Sequence, residues 1–461
     1  MRIFVFLEAD VTIRHFISSK AFSLLDRKHD IKYVFPFGHK RLGKINPHDL
    51  NIRKEQIINL PSNEKRLSLW RMKFFVERLR HQKSISTNQR EMFHKLFKST
   101  NPLKLYFVYR FLGIAGVFEI FTLISNLILK NNPYRKLDFV LNKYSPDLII
   151  HPCVLEGIYI NDLVMMGSER KIPTIVIMNS WDNPASKRTV IGNDFWLLVW
   201  GPQTKNHAVS FMRMQSERVF EFGAAQFDIY LEKPNKNRLE ILKSHEFSRD
   251  KKLLLYAGSS KLTNEFDHLS RIDHAISSGF LPPTNVIYRP HPWGEGGLDG
   301  TRFLSHNFKN VKVDKSMFYY LELIRKGDKK KEMADYDDTR NLLASVDAII
   351  SPLSTILIEG MILGKPVLCY MPIDEDNDDH FKSSLKQTHF EEFLSIPEVL
   401  VAWGSEQLIE SIHALIKKTD DLSAVKDIKK ASEFLIKPFD RPFRERIVDL
   451  VDEVLAKHID N

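Results

Sequence analysis

One stretch constrains this chain more than any other: Ser351-Pro-Leu-Ser354-Thr355-Ile-Leu-Ile-Glu359-Gly-Met-Ile-Leu-Gly364-Lys365-Pro366-Val-Leu. An apolar strand, Val346 to Ile350, runs into hydroxyl residues and then a short helix closed by Gly, Lys and Pro. A second apolar strand, Val367 to Tyr370, follows at once. Strand, turn, helix, strand in immediate succession is a unit of a parallel sheet. The hydroxyls of Ser354 and Thr355 stand at the helix N-terminus, where free backbone N–H groups and the positive dipole end make a place for phosphate. Ile356, Leu357, Ile358, Met361 and Ile362 make the helix apolar nearly all round, so it is expected to be buried. The lone Glu359 in it then needs a partner, and ribose hydroxyls would serve.

A matching element lies about sixty residues earlier, where the apolar strand Asn285-Val-Ile-Tyr288 ends in Arg289-Pro290-His291-Pro292. Two prolines around a histidine make a stiff strand exit that aims the imidazole above the sheet edge. Both elements put their polar residues at the carboxyl ends of strands, where open α/β sheets bind ligands. His291 is read as a phosphate donor. Arg289 pairs either with phosphate or with a core carboxylate. Gly258-Ser259-Ser260 opens a polar turn after a further strand, Lys252 to Ala257, and Asn264, Glu265 and Asp267 beyond it read as ordinary helix-start residues.

At 461 residues the chain exceeds one ordinary domain, and two domains with sizeable cores are expected. A net charge of +9 favours anionic partners. No RNA-recognition, zinc-finger or helix-turn-helix signature accompanies it, so nucleic acid is not the expected partner. Cys153 and Cys369, the two cysteines, lie in or beside apolar strands and read as buried thiols in a reducing cytoplasm. The opening run Met1 to Glu8 is too short for a signal peptide and reads as a first strand. The absence of G-x-S-x-G and of G-x-G-x-x-G argues against a serine hydrolase and a dinucleotide dehydrogenase. No metal site is expected, because Asp374-Glu-Asp376 belongs to an acidic run through Asp379 that reads as a solvated loop.

Strands are expected at 3–7, 31–35, 56–60, 148–151, 174–178, 196–199 and 218–221, and a second alternating series starts after a polar linker at 233–238. Only helices are expected between the Val346–Leu368 unit and the C-terminus. Residues 62–135 read as a basic helical insertion with Trp70, Phe74, Phe75, Phe93 and Phe97 as its core stripe. Residues 326–332 read as an exposed excursion. Within the insertion, 111–129 is the nearest thing to a membrane element, but Gly113, Glu119 and Asn126 interrupt it and point to a buried or interfacial helix. Arg66, Arg71, Arg78, Arg80, Lys95 and Lys98, with the cations between 110 and 136, form either a solvated face or a contact for an anionic membrane surface.

After the first strand come Glu8, Asp10 and His15, candidate bases for a hydroxyl proton, with helix N-capping the competing reading of Asp10. Glu156 and Asp182 follow later strands and are candidate sugar or acceptor contacts. Trp181 either stacks on a sugar or is a buried tryptophan.

These residues carry a family resemblance. Ser354-Thr355, Glu359 and Gly364-Lys365-Pro366 resemble the donor-nucleotide segment of GT-B glycosyltransferases and UDP-sugar 2-epimerases. Arg289-Pro-His291-Pro resembles the His-Pro motif of bacterial polysialyltransferases, capsular Kdo transferases and teichoic-acid glycerophosphotransferases. Residues 179–187 look like a segment of surface-carbohydrate biosynthesis proteins. The resemblance implies an α/β fold of two Rossmann-like domains facing a central cleft: 1–235 on the acceptor side, with its insertion at 62–135, and 250–435 on the donor side. It also implies that 436–461 packs back on the first domain. It further implies that Gly258-Ser259-Ser260 faces the donor diphosphate, that His291 takes leaving-group charge, and that Glu359 binds ribose. The implied activity is metal- and cofactor-independent, inverting transfer of a sugar from a nucleotide-sugar to a glycan or lipid-linked acceptor for bacterial capsule or O-antigen, in the cytoplasm and peripheral on the inner membrane face. A CDP-polyol glycerophosphotransferase, a UDP-sugar 2-epimerase and a non-catalytic nucleotide-sugar-binding scaffold stay open.

Overall fold

Strands in this chain are short apolar runs with little alternation of polarity, the composition of sheets covered on both faces. A computed structural model describes residues 1–37, 47–81, 102–260, 263–292, 294–327, 335–375 and 379–459. Among them every strand pairing is parallel. The chain divides into two compact units, Met1–Asp228 with Ile436–Asn461, and Ile229–Leu435.

The first unit holds a seven-stranded sheet of β1 (Arg2–Phe6), β2 (Asp30–Phe37), β3 (Ile57–Pro61), β4 (Leu148–Cys153), β5 (Thr174–Met178), β6 (Trp196–Val199) and β7 (Val219–Glu221), in the order β3-β2-β1-β4-β5-β6-β7. The second holds β8 (Lys252–Ala257), β9 (Thr284–Arg289), β10 (Val311–Val313), β11 (Ala348–Ser351), β12 (Val367–Met371) and β13 (Val399–Trp403), in the order β10-β9-β8-β11-β12-β13. Each order reverses direction once, between β1 and β4 and between β8 and β11. At such a point neighbouring loops leave in opposite directions and open a crevice at the carboxyl ends.

The helices that matter below are α1 (Asp10–Ile13), α2 (Glu64–His81), α3 (Pro102–Leu112), α4 (Val117–Asn131), α5 (Ile160–Glu169), α6 (Glu265–Ser277), α7 (Thr355–Ile362), α8 (Ser405–Lys418) and α9 (Phe443–Ile459). Successive β1 side chains go to opposite faces of the first sheet. Ile3, Val5 and Leu7 join Phe443, Ile447, Val451 and Val454 of α9 in one core. Phe4 and Phe6 join Tyr159 and Leu163 in the other. The last helix thus belongs to the unit that contains the first strand.

Two strands depart from the sequence reading. β13 pairs with β12 along its whole length where only helices were expected, and β10 pairs with β9 over three residues. β13 is a brief apolar run, which periodicity alone does not separate from buried helix, and β10, Val-Lys-Val, is too short to show a period. In the insertion Trp70, Phe74 and Phe75 are buried, as a core stripe should be. Phe93, Phe97 and the greater part of the 326–332 excursion lie outside the described residues, and Arg78, Arg80, Lys95 and Lys98 outside those whose side chains are described.

Arg66 is a correction: it is 4% exposed and faces no membrane. Its Nε donates to Asp162 Oδ1 at 2.9 Å and its Nη1 to the Leu129 carbonyl at 2.8 Å, while Trp70 Nε1 donates to the same carboxylate oxygen at 3.0 Å. One buried ion pair therefore ties α2 and α4 of the insertion to α5 of the sheet domain. Breaking a buried pair leaves an uncompensated charge. Arg66→Ala is accordingly expected to lower stability by about 3–5 kcal/mol in urea unfolding. A loss below about 1 kcal/mol, as for a surface pair, would contradict this account.

Candidate functional site

In the second unit the loops after β8 and β9 are built against each other. Gly258 N–H donates to the Arg289 carbonyl at 2.9 Å, extending the ladder one residue past the strands. A Cβ on Gly294 would fall 1.8 Å from the Ser259 carbonyl oxygen, so only glycine lets the His291 turn lie against that loop. Tyr320 pins the turn from below, its hydroxyl donating to the Pro292 carbonyl at 2.6 Å. The structure thereby brings Gly258, Ser259, Arg289 and His291 to one edge of one sheet. Ser260, next in the loop, is exposed.

Glu265, read from sequence as a helix-start residue, supports this loop. It is fully buried and accepts from Ser259 N–H at 2.6 Å, from Thr263 Oγ1 at 3.2 Å and from the Tyr288 hydroxyl. A Cβ on Gly258 would lie 2.6 Å from its Oε2. Burial pushes its pKa up to about 7 against the opposing pull of the Tyr288 and Ser259 hydrogen bonds. The glycine that makes room for it was the available signal.

Arg289 makes its ion pair with a core carboxylate, Asp314, at 2.8 Å, and its Nη1 donates to Thr339 Oγ1 at 3.3 Å. Its buried Nη2 has no hydrogen-bond partner among the described residues. The core-carboxylate reading of this residue is the one observed, and Nη2 is a further donor beside it. Glu359, on α7, already has a protein partner, the Tyr230 hydroxyl, which donates to its Oε2. Burial, then the adjacent Glu359, raises the Tyr230 pKa far above that of a free phenol, and Arg289 stands close enough to oppose the shift. Tyr230 was missed because it lies 129 residues from Glu359 in the chain.

Ser354 is the N-cap of α7 in extended conformation, with φ −153° and ψ 152°, but its hydroxyl makes no capping hydrogen bond. Expected capping is therefore absent, and Thr355 occupies the first helical position. The acidic loop is also a correction. Asp374 Oδ2 accepts from Ser405 N–H at 2.8 Å and its hydroxyl at 2.7 Å at the start of α8, and Glu375 pairs with His268. These two carboxylates are structural ties and not merely solvated; Asp376 and Asp378 lie outside the described residues. Among the described residues no group of three or more His, Cys, Asp or Glu side chains is placed to hold a metal.

In the first unit the three candidate bases separate. Glu8 is buried, faces His151 Nε2 at 2.7 Å, and accepts from Ile158 N–H and, at 3.0 Å, from Tyr159 N–H. It ties β1 to β4 and to the chain entering α5. Asp10 is not an N-cap; Ala9 is, and Asp10 lies in the first turn of α1. His15 Nδ1 sits 2.8 Å from Asn179 Oδ1, and Asn179 is held in turn by its N–H donating to Asn183 Oδ1 at 3.1 Å. Burial, opposed by the Asn179 hydrogen bond, lowers the His15 pKa to about 4. The imidazole is neutral at pH 7, and donation from Nδ1–H to the amide leaves the lone pair on Nε2.

Asp182 is likewise committed: Lys187 Nζ lies 2.8 Å from its Oδ2, and Asn183 Nδ2 donates to its Oδ1 at 3.0 Å. Trp181 is 4% exposed, so it offers no open face for a sugar. Glu156 is half-buried and close enough to Lys187 to raise its pKa, after the larger effect of Asp182.

No protein-family model matches the chain, and no curated protein sequence does. Solved structures do. The chain is similar to a variant of the wall teichoic acid polymerase TagF at 12% identity and TM-score 0.51, covering all of this chain and 90% of that one. It is similar to MnaA of S. aureus, solved with UDP, at 13% identity and TM-score 0.51, covering 99% and 97%. It is also similar to the UDP-GlcNAc 2-epimerase of Neisseria meningitidis bound to UDP-GlcNAc, at 14% identity and TM-score 0.51, covering 98% and 100%. At such identities the likeness shows the fold, and with two parallel α/β sheets of seven and six strands that fold is GT-B.

Glu265 generates a prediction of sign. Its folded-state pKa lies above the ordinary carboxylate value, so its contribution to stability is complete below about pH 4.5 and is lost as pH rises through about 7. Glu265→Gln is expected to remove that slope between the two values in urea midpoints measured against pH. An unchanged slope would show that Glu265 is ionised throughout.

Proposed function

We propose that this chain is an enzyme that transfers a sugar from a nucleotide-sugar donor to a glycan or lipid-linked acceptor in bacterial surface-polysaccharide assembly, at the inner membrane face. One observation carries the reading: the nominated donor residues leave β8, β9 and β11 at the strand-order reversal of the second sheet, with a buried arginine that keeps one donor unused. The first turn of α7, with Ser354 and Thr355, supplies N–H groups for a diphosphate, and Arg289 Nη2 and His291 add donors. Glu359 takes the ribose hydroxyls once Tyr230 shares or yields its carboxylate. Neutralisation by a helix end and cationic side chains needs no metal in this scheme.

On the acceptor side His15 is the base, with Asp10 beside it in sequence. The acceptor oxygen forms its bond to the anomeric carbon as the bond from that carbon to the nucleotide phosphate breaks. The hydroxyl proton passes to His15 Nε2, and the nucleotide leaves with the bonding pair. Attack opposite the leaving group inverts the anomeric centre. The likeness to 2-epimerases favours one second reading, epimerisation of a UDP-sugar, which proceeds without acceptor. A CDP-polyol transferase would instead leave phosphate in its product.

Calorimetric titration with UDP-, CMP-, CDP- and GDP-linked donors tests the proposal. One class is expected to bind in roughly the micromolar to millimolar range. His15→Gln should lower turnover by about 10²–10⁴-fold with nucleotide affinity unchanged. Failure of every nucleotide to bind removes the reading.

A further inference from the structure

Besides its inward core, the helical insertion turns a second row of apolar side chains outward. On α3 and α4, Phe107, Phe111, Ile120, Leu123, Ile124 and Leu127 are between 49% and 67% exposed. The inward side of α4 is already satisfied: Phe118 and Phe121 pack against Phe74, Phe75 and Tyr109, and Ser125 and Leu129 are buried, so the outward row is surplus to the core. A water-facing helix turns polar side chains to solvent, because exposing apolar surface is unfavourable. Contiguous apolar patches of this extent are rare on the surface of a protein that acts alone in water.

Charge selects the occupant. Between residues 103 and 137 the chain has five cations, Lys104, Arg110, Lys130, Arg135 and Lys136, and one acid, Glu119. All five cations are exposed and flank the apolar side chains in sequence. An apolar centre with a cationic margin matches the boundary between acyl chains and anionic headgroups. A second copy of the chain would carry the same cations and meet them with like charge. Length excludes a span: α4 has 15 residues, about 22 Å of helix against a hydrocarbon core of about 30 Å. No described helix is long and apolar enough to cross a membrane.

We infer that α3 and α4 form a membrane-docking face that lies in the surface of an anionic bilayer, inserting Phe111, Leu123 and Leu127 and resting the cations on headgroups. The inference rests on the membrane-face location in the proposed function, and it uses none of the nucleotide-site residues. It differs from adsorption by charge alone, because apolar insertion survives salt that screens the cations.

Flotation of the full chain decides it, with vesicles of phosphatidylcholine alone and of phosphatidylcholine mixed with phosphatidylglycerol, at about 0.1 M and about 1 M salt. The chain is expected to float with the anionic vesicles, and most of that binding should persist at high salt. Leu123→Gln with Leu127→Gln should reduce flotation at least tenfold without loss of folding, since both side chains are exposed. Lys104→Glu with Lys130→Glu should abolish the preference for anionic vesicles. Failure of the native chain to float, or flotation of the glutamine variant like the native chain, overturns the inference. So does a native dimer by light scattering that the glutamine variant renders monomeric. Nucleotide titration on the same samples separates the two proposals: a chain that floats but binds no nucleotide keeps the docking face and loses the transferase reading.

Discussion

Parallel pairing sends the carboxyl end of every strand in a sheet to the same edge, and much of this protein's chemistry follows from that restriction. A strand that must return in parallel needs a crossover, so each loop at the edge is followed by a helix whose N-terminus faces back toward it. In both sheets the order reverses once, and there adjacent loops part. The residues proposed for phosphate binding or as a base collect at these edges: Ser259, Arg289, His291 and Ser354 in one unit, His15 with its partner Asn179 in the other. No local property of those residues would gather them; strand direction does.

Edges of this kind expose backbone N–H groups that must be satisfied or left for a ligand. The two units handle part of the demand with a buried carboxylate each. Glu8, just after β1, accepts from the N–H groups of Ile158 and Tyr159 at the entrance to α5. Glu265, at the start of α6, accepts from Ser259 N–H just after β8. Both fix the loop after the first strand of their sheet. By contrast the start of α7 receives no side-chain cap, although a serine stands in the capping position. That contrast is what supports the ligand proposed there.

Much of the fold was legible in the sequence because buried parallel strands are uninterrupted apolar runs with helices between them. β10 and β13 escaped because three to five residues have no measurable period. The candidate site was legible where a motif names its own geometry, as in Pro290-His291-Pro292 or Ser354-Thr355. It was illegible where a partner comes from far along the chain. Nothing near Glu359 announces Tyr230, nothing near His15 announces Asn179, and Asn264-Glu265 reads the same whether the acid caps a helix or is buried beneath a loop. Arg66 misled for a related reason: in a basic helical stretch it looks solvated, and only Asp162, 96 residues away, shows that it is internal.

The central claim is that the carboxyl edge of the second sheet, at its strand reversal, holds a nucleotide. Backbone hydrogen–deuterium exchange, read with and without each nucleotide of a UDP, CDP, CMP and GDP panel, tests it most directly. The account predicts that one nucleotide slows exchange in residues 258–260, 289–292 and 354–359 together and leaves the segments of the first unit unchanged. Protection confined to other segments, or no protection by any nucleotide, would contradict it.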